Sequence, residues 1–218
     1  MLTLEEILES REARVRRQRE LLEAYPGLSL LCLTVQLPGP IKRNKTSLVI
    51  AEAGVKAVRE AFAVEREELR DLETGFEGFF LVPIPPVDAK RLACHLEDTH
   101  PLGRLMDLDV IVTITSKSSS TPLHPRGGLR GVPLKLPASL RKVPGRTFTR
   151  IGREAQGVRG LPAAKYSPAP LGREDLGLEP RKCLLCGRQA RECMRAKNHT
   201  TEELLAKIDQ LVEDYLNS

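Results

Sequence analysis

Two aspartates in an apolar segment are the residues of this chain best suited to chemistry. Asp107 and Asp109 are separated by a single leucine and followed by a run of apolar residues. Side chains of a strand alternate between its faces, so both carboxylates would emerge on one side, with their roots about 6 to 7 Å apart. Such a pair can hold Mg²⁺. The spacing predicts a metal-phosphate site; the open alternative is an edge strand with a hydrated outer face.

Residues near this strand add groups that bind phosphate or move protons. Gly103 and Arg104 precede it in a turn, where backbone amides and a guanidinium group suit phosphate oxygens. His100 and Glu97 are candidates for a general base or a further metal ligand, although a histidine before proline more often caps or packs. Lys42 follows a turn after a predicted buried strand and is a second candidate phosphate ligand. For Lys42, a surface lysine in a turn is an equally good interpretation.

Three cysteines and a histidine near the C-terminus have the spacing C-x2-C-x6-C-x5-H. They are Cys183, Cys186, Cys193 and His199. All four are side chains that bind Zn²⁺, and a two-residue gap lets two thiolates face one tetrahedral ion. The second half of the pattern fits no standard zinc finger. Plain structural thiols and redox chemistry therefore remain alternatives to a zinc site.

The elements that must position these residues are visible as segments between chain breakers. Thr3 and Glu6 have the spacing of a capping box and predict a helix that runs to Ala24. Thr200 and Glu203 predict a second capped helix, whose apolar stripe ends near Tyr215. Further predicted elements are a helix over 47–62 and strands over 28–37, 78–84, 91–97 and 107–115, the last two as a hairpin. The pattern predicts an α/β or α+β fold with a mixed sheet of about four or five strands and flanking helices.

Composition sets limits on the class of protein. The chain has 218 residues, 41% of them hydrophobic, which is enough for a sizeable core. No run approaches the length of a membrane helix, and the start lacks the order of a secretory signal, so we expect a cytoplasmic protein without a membrane partner. Aromatic residues make up 4% of the chain, with no Trp, which argues against nucleic-acid binding by base stacking. Walker A and GxGxxG loops are absent.

The positive charge is concentrated in one segment. Residues 116–168 hold eleven Lys or Arg and one acid, a net charge of +10; the whole chain carries +5, so the remainder carries 5 − 10, or −5. The same segment contains seven Pro and seven Gly. We predict a catalytic core that begins with residues 1–115, a largely disordered basic insert over 116–168, and a Cys/His segment and helix over 169–218 that pack on the core.

Three motifs, taken together in this order, resemble one enzyme family. They are PGPIK at 38–42, HPLGRLMDLDV at 100–110, and PRKCLLC at 180–186 with the later Cys193, Arg195 and His199. The chain is similar in these motifs to the apo-citrate lyase phosphoribosyl-dephospho-CoA transferases, also described as citrate lyase holo-acyl-carrier-protein synthases. The resemblance covers about residues 4–115 and 171–216. The chain departs from the family pattern at the insert.

The resemblance implies a function for the site. Members of this family transfer the phosphoribosyl-dephospho-CoA group from its triphosphate donor, triphosphoribosyl-dephospho-CoA, to a serine of the citrate lyase acyl carrier subunit and release diphosphate. It implies a nucleotidyltransferase-like core in which Asp107 and Asp109 hold Mg²⁺, while Gly103, Arg104 and Lys42 contact phosphate. Two alternatives stay open: a nucleotidyltransferase that acts on a malonate decarboxylase carrier, and a zinc-ribbon-like protein that binds nucleic acid.

Overall fold

A five-stranded antiparallel sheet organises the chain in a computed structural model that describes residues 2–114 and 167–218. The strand order is β2-β3-β1-β4-β5, and all four pairings are antiparallel. The strands are β1 (Ser29–Val35), β2 (Arg66–Leu72), β3 (Gly75–Val82), β4 (Met106–Ile114) and β5 (Ser167–Pro170). The helices are α1 (Leu4–Ala24), α2 (Lys45–Ala61), α3 (Pro86–Thr99), α4 (Ala190–Ala196) and α5 (Thr201–Leu216). The predicted sheet of four or five strands with flanking helices is confirmed, and its strands are all antiparallel where the sequence analysis predicted a mixed sheet.

The central strand β1 is buried on both faces. Leu31 and Leu33 face the larger core, which α2, α3 and α5 cover. Leu30 and Cys32 point to the opposite face, where α1 packs. A continuous apolar run is the pattern expected of a strand with no exposed face, so the prediction of a buried strand here is confirmed.

Capping residues set the starts of the long helices. At α1, the side chain of Thr3 accepts a hydrogen bond from the amide of Glu6, whose carboxylate accepts one from the amide of Thr3. Thr200 and Glu203 form the same reciprocal pair at the start of α5. Both predicted capping boxes are confirmed.

The predicted strand over 91–97 is wrong, because these residues belong to the helix α3. The alternation of leucine and cysteine with charged residues suggested a period of two. The buried residues of α3 instead include Ala89, Ala93 and Glu97, which are spaced four apart and line one face of a helix. Pro86 at the first turn favours the helix start, since its fixed φ and missing amide suit that position. The predicted hairpin is therefore wrong as well, and β4 pairs with β1 and β5.

Three elements were not predicted from the sequence: the strands β2 and β5 and the helix α4. The strand β2 reads REELRDL, which is largely polar, and it lies at the edge of the sheet, where charged side chains face water. The helix α4 has only seven residues and follows the segment that contains Cys183 and Cys186. The predicted insert at 116–168 lies outside the described residues apart from its last two. Within the described residues, none of the helices has the length and apolarity needed to cross a membrane.

Candidate functional site

Asp107 and Asp109 lie on one face of β4, as their spacing predicts. In the antiparallel register Asp107 is opposite Thr34 and Asp109 is opposite Cys32. The intervening Leu108 points into the larger core and is fully buried. The two carboxylate side chains are 27% and 38% exposed, so both remain open to solvent. The strand therefore brings two acids together at an accessible surface.

The proximity of the two acids has an electrostatic consequence. Burial raises the pKa of the Asp109 carboxyl, and the negative charge of Asp107 raises that pKa further. The Lys90 ammonium opposes this rise, with its Nζ 3.3 Å from Oδ1 of Asp109. The pair thus holds negative charge that its protein neighbours only partly neutralise.

Asp107 is held by two donors from other parts of the chain. The side-chain amide of Gln36, just after β1, donates to Oδ2 of Asp107 at 2.9 Å. The guanidinium group of Arg181 donates to Oδ1 at 2.7 Å. Since Arg181 comes from the C-terminal segment, the orientation of this carboxylate depends on both halves of the chain.

The carboxylate of Glu97, at the end of α3, lies against the edge of β4 at Leu108, between the two aspartates in sequence. Its side chain is 1% exposed, and its Oε1 accepts a hydrogen bond from the Leu108 amide at 2.8 Å. The same carboxylate accepts from Arg181, and its Oε2 accepts from Arg173 at 2.8 Å. Lys90, also on α3, donates to the Leu108 carbonyl at 2.9 Å. Two α3 side chains therefore satisfy the backbone of β4 at Leu108, on the side where no strand of the described residues pairs with it.

Arg104 contacts the backbone of the segment that carries Arg181. Its guanidinium group donates to the carbonyl of Lys182, next to Arg181 in sequence. Burial lowers the pKa of Arg104, and the positive charges of Arg181 and Arg173 lower it further. The positive charges of two arginines therefore act on Arg104, and positive charge gathered at one place favours an anionic ligand. The Nε of Arg173 is buried and has no hydrogen-bond partner within the described residues.

Gly103 is required by packing. A Cβ at this position would lie 2.5 Å from the carbonyl oxygen of Glu97 and 2.7 Å from that of Leu96, so the turn contacts the end of α3 directly. The Gly103 amide donates to the His100 carbonyl at 2.8 Å. Because this amide is already bonded within the turn, contact of Gly103 with phosphate stays a prediction.

His100 and Lys42 are bonded elsewhere. The Nδ1 of His100 accepts from the Leu102 amide at 3.0 Å, and its ring packs against Tyr215 with ring centroids 5.7 Å apart. Burial lowers the pKa of His100. The Lys42 ammonium donates to the Leu37 carbonyl, and burial lowers its pKa. In the described parts of the chain, neither residue makes a hydrogen bond to the acid pair, so their roles stay predictions.

The four predicted zinc ligands are brought together. The ligand atoms of Cys183, Cys186, Cys193 and His199 all lie within 4.8 Å of one another. The Sγ atoms of Cys186 and Cys193 are 3.4 Å apart, and Nε2 of His199 is 3.3 Å from Sγ of Cys186. Burial alone would raise the pKa of Cys183, but hydrogen bonds from the amides of Leu185 and Cys186 lower it overall.

Three basic residues of the site were not singled out as site residues from the sequence. Lys90 is 4% exposed and lies in a segment predicted partly as a strand, so its contact with Asp109 had no visible signal. Arg181 was included only as part of the motif PRKCLLC, without a role, and Arg173 was not singled out. Their pairing with Glu97 joins positions more than 70 residues apart, which no local pattern reports.

A partly exposed pair of carboxylates, one with a raised pKa, beside arginines and a lysine is the kind of cluster found at the active sites of enzymes. Comparison with known proteins gives the family. The model of the apo-citrate lyase phosphoribosyl-dephospho-CoA transferase family matches residues 2–125 and 164–215. The chain belongs to this family and is a transferase, as the sequence motifs predicted.

Individual relatives agree with the family match over nearly the whole chain. A probable apo-citrate lyase phosphoribosyl-dephospho-CoA transferase of Streptococcus pyogenes is 29% identical over 219 residues, which cover 99% of this chain and 88% of the relative. A protein with the same description from Vibrio cholerae serotype O1 is 30% identical over 220 residues, covering 98% of this chain and 93% of the relative. These matches favour the enzyme interpretation over a zinc-ribbon-like nucleic-acid-binding protein.

Proposed function

We propose that this protein attaches the phosphoribosyl-dephospho-CoA group to a serine of the citrate lyase acyl carrier subunit. The donor is triphosphoribosyl-dephospho-CoA, and the second product is diphosphate. Membership of the family supports two parts of this proposal, the identity of the transferred group and citrate lyase as the enzyme that receives it. The observation that carries the proposal is the exposed pair Asp107 and Asp109, with Arg181 bonded to Asp107 and Arg104 nearby.

The reaction places specific demands on the site. The serine hydroxyl attacks the phosphorus nearest the ribose, the bond from that phosphorus to the diphosphate oxygen breaks, and the hydroxyl proton leaves to a base. Negative charge accumulates on the equatorial and leaving oxygens in the transition state. Fixed positive groups stabilise this charge best, because they need no reorganisation during the reaction. Arg104, which lies near Arg181 and Arg173, would supply such a group.

The acid pair fits a divalent ion. Mg²⁺ prefers carboxylate oxygens and is commonly held by one or two carboxylates together with substrate phosphates. Asp107 and Asp109 share one strand face, are partly exposed, and carry charge that their neighbours only partly neutralise. When bound, Mg²⁺ would neutralise charge on the triphosphate chain. The two carboxylates would hold the ion, and Gln36 and Arg181 fix the orientation of the Asp107 carboxylate.

Glu97 supports this arrangement as a positioning residue. It is buried beneath the acids and holds Arg173 and Arg181 in place. Its two oxygens are both occupied by these contacts and by the Leu108 amide. We therefore assign it to orienting Arg181 toward Asp107, in preference to the general-base role considered from the sequence.

The decisive experiment combines two variants with a control. We expect Asp107→Asn and Asp109→Asn to lower transfer by at least about 10²-fold, because each removes one of the charges that would hold the ion. Asp98→Asn, whose side chain is 51% exposed and bonded to Arg173, is the matched control and should retain most activity. The readouts are the mass shift of the carrier subunit and release of diphosphate. Near-normal rates in both variants would exclude the proposed role of the pair.

A parallel assay identifies the acceptor. The protein and donor are incubated separately with the citrate lyase carrier and with a malonate decarboxylase carrier. We expect a mass increase on the citrate lyase carrier alone, located by fragmentation to a serine. Modification of the other carrier at a higher rate would contradict the proposed acceptor.

A further inference from the structure

We propose that Cys183, Cys186, Cys193 and His199 bind one structural Zn²⁺. Their four ligand atoms converge within 4.8 Å of one another from three separate positions: a hairpin, the helix α4 and the loop after it. Three cysteine sulfurs and one imidazole nitrogen are a donor set typical of structural zinc sites. Neither the family description nor the names of the relatives mention a metal here.

The backbone around the site is arranged to present these ligands. Lys182 and Gln189 form an isolated antiparallel bridge, and the Cys183 amide donates to the Arg188 carbonyl at 2.7 Å, which closes a tight hairpin.

The end of α4 is shaped to bring in the fourth ligand. Lys197 has φ of 49°, and it is the only non-glycine residue with positive φ within 2–114 and 167–218. This left-handed residue ends α4 and reverses the chain, so that the Asn198 amide donates to the Cys193 carbonyl and His199 faces the cysteines. A strained backbone position that places a ligand is consistent with a site on which the local fold depends.

The surrounding segment has almost no core of its own. From 171 to 199, Cys193 is the one residue classed as buried. A stretch of this length with so little buried apolar surface needs another source of order, and a metal that ties three positions together supplies it. The four ligands lie within or at the end of this segment, so a bound metal would hold it together.

A disulfide between Cys186 and Cys193 is the competing explanation for the short distance between their sulfurs. The sulfurs are 3.4 Å apart, against about 2.05 Å for a bonded pair, and all five cysteines are free. A disulfide would also leave the convergence of Cys183 and His199 unexplained. The four-ligand arrangement is therefore better explained by a metal.

The proposed zinc site is adjacent to the candidate active site in sequence and in contacts. Arg181, which bonds Asp107 and Glu97, lies two residues before Cys183, and the Lys182 carbonyl accepts from Arg104. The zinc would thus fix the hairpin that delivers Arg181. The zinc proposal itself does not depend on the proposed transfer reaction.

Metal analysis of the full-length purified protein tests the proposal directly. We expect about one zinc per chain under reducing conditions. The variants Cys186→Ala and His199→Ala should lose it, while the matched controls Cys94→Ala and His95→Ala, which alter residues of α3, should keep it. A wild-type zinc content no higher than that of His199→Ala would overturn the proposal. Protein that, as first purified, holds a Cys186–Cys193 disulfide and no zinc would overturn it too.

A second measurement does not require the variants to fold. Cobalt is added to wild-type protein from which zinc has been removed by a chelator. We expect the absorption bands of tetrahedral, thiolate-bound Co²⁺, together with slower amide hydrogen exchange over 181–199 and little change in β1 and β3. Absence of those bands, or exchange over 181–199 that is the same with and without metal, would contradict the structural zinc site. Neither readout uses enzyme activity, so failure of the transfer assay leaves this test intact.

Discussion

Asp109 shows how a single residue of the site affects stability. Burial and the charge of Asp107 raise the pKa of Asp109 above its ordinary value of 3.8, so the folded protein binds this proton more tightly than the unfolded chain does. Between 3.8 and the raised pKa, the free energy of unfolding therefore falls as the pH rises. Above the pKa of the folded state, the full loss of stability caused by the charged Asp109 carboxylate is present. Losses of stability of this kind are common where a charge is required for function.

We predict that Asp109→Asn raises the free energy of unfolding at pH 7, because the neutral amide avoids this cost and its oxygen can still accept from Lys90. The advantage should shrink as the pH falls toward 3.8, where the wild-type carboxyl becomes protonated. Urea unfolding at several pH values between 4 and 8 measures the difference. A variant less stable than wild type at pH 7 would contradict the prediction. A stable but inactive variant would place Asp109 in function.

Glu97 differs from Asp109 in that it is almost fully buried and is paired with two arginines. We predict that Glu97→Gln lowers the free energy of unfolding by about 2 to 4 kcal/mol, since it leaves Arg173 and Arg181 without a buried counter-ion. Asp98→Asn is the control: this carboxylate is 51% exposed, so its loss should cost about 1 kcal/mol or less. Equal losses in the two variants, measured by urea unfolding, would show that Glu97 is not the centre of this ion-pair group.

Among the predicted site residues, those that depend on local geometry were placed best. The alternation of a strand was enough to put Asp107 and Asp109 on one face, and ligand spacing was enough to group the cysteines with His199. The partners that fix the acids come from distant positions, such as Gln36 and Arg181. Contacts of this kind depend on tertiary packing, which a single sequence does not reveal.

At the level of elements, periodicity and exposure decided which predictions succeeded. The buried strand β1 and the capped helices α1 and α5 have long, unambiguous patterns. The apolar residues of the segment that forms α3 fit both the period of a strand and the period of a helix. Its buried face includes Lys90 and Glu97, and charged residues in a sequence suggest an exposed face. β2 was missed because its charged residues face solvent at the sheet edge.

The contact between α3 and the turn before β4 gives an element-scale prediction. Gly103→Ala should lower the free energy of unfolding by about 1 to 3 kcal/mol, because the new methyl group meets backbone oxygens at the end of α3 that cannot move independently. Gly187→Ala is the matched control, since no atom of the described residues would lie within 4 Å of a Cβ there. Thermal and urea unfolding of both variants measure the effect. Equal stability of the two variants would contradict the close packing.

At the level of the whole molecule, the two described stretches of chain share one core. Ile208 and Val212 of α5 are 2% and 7% exposed and belong to the same cluster as Leu33 and Leu108 of the sheet. The arginines that reach Glu97 come from the second stretch as well. Sequence analysis predicted packing of the C-terminal helix on the core but did not identify these partners.

Because the core is shared, damage to α5 should destabilise the whole sheet. We predict that Ile208→Ala lowers the free energy of unfolding by about 2 to 4 kcal/mol, through lost burial and the cavity that remains. Leu216→Ala, at a site 64% exposed on the same helix, should change it by about 0.5 kcal/mol or less. Both should unfold in a single transition when followed by circular dichroism and by amide exchange in β1. If α5 unfolded in a separate, earlier transition while β1 stayed protected, the two stretches would not form one cooperative unit, and Arg181 could be released from Asp107 without unfolding the sheet.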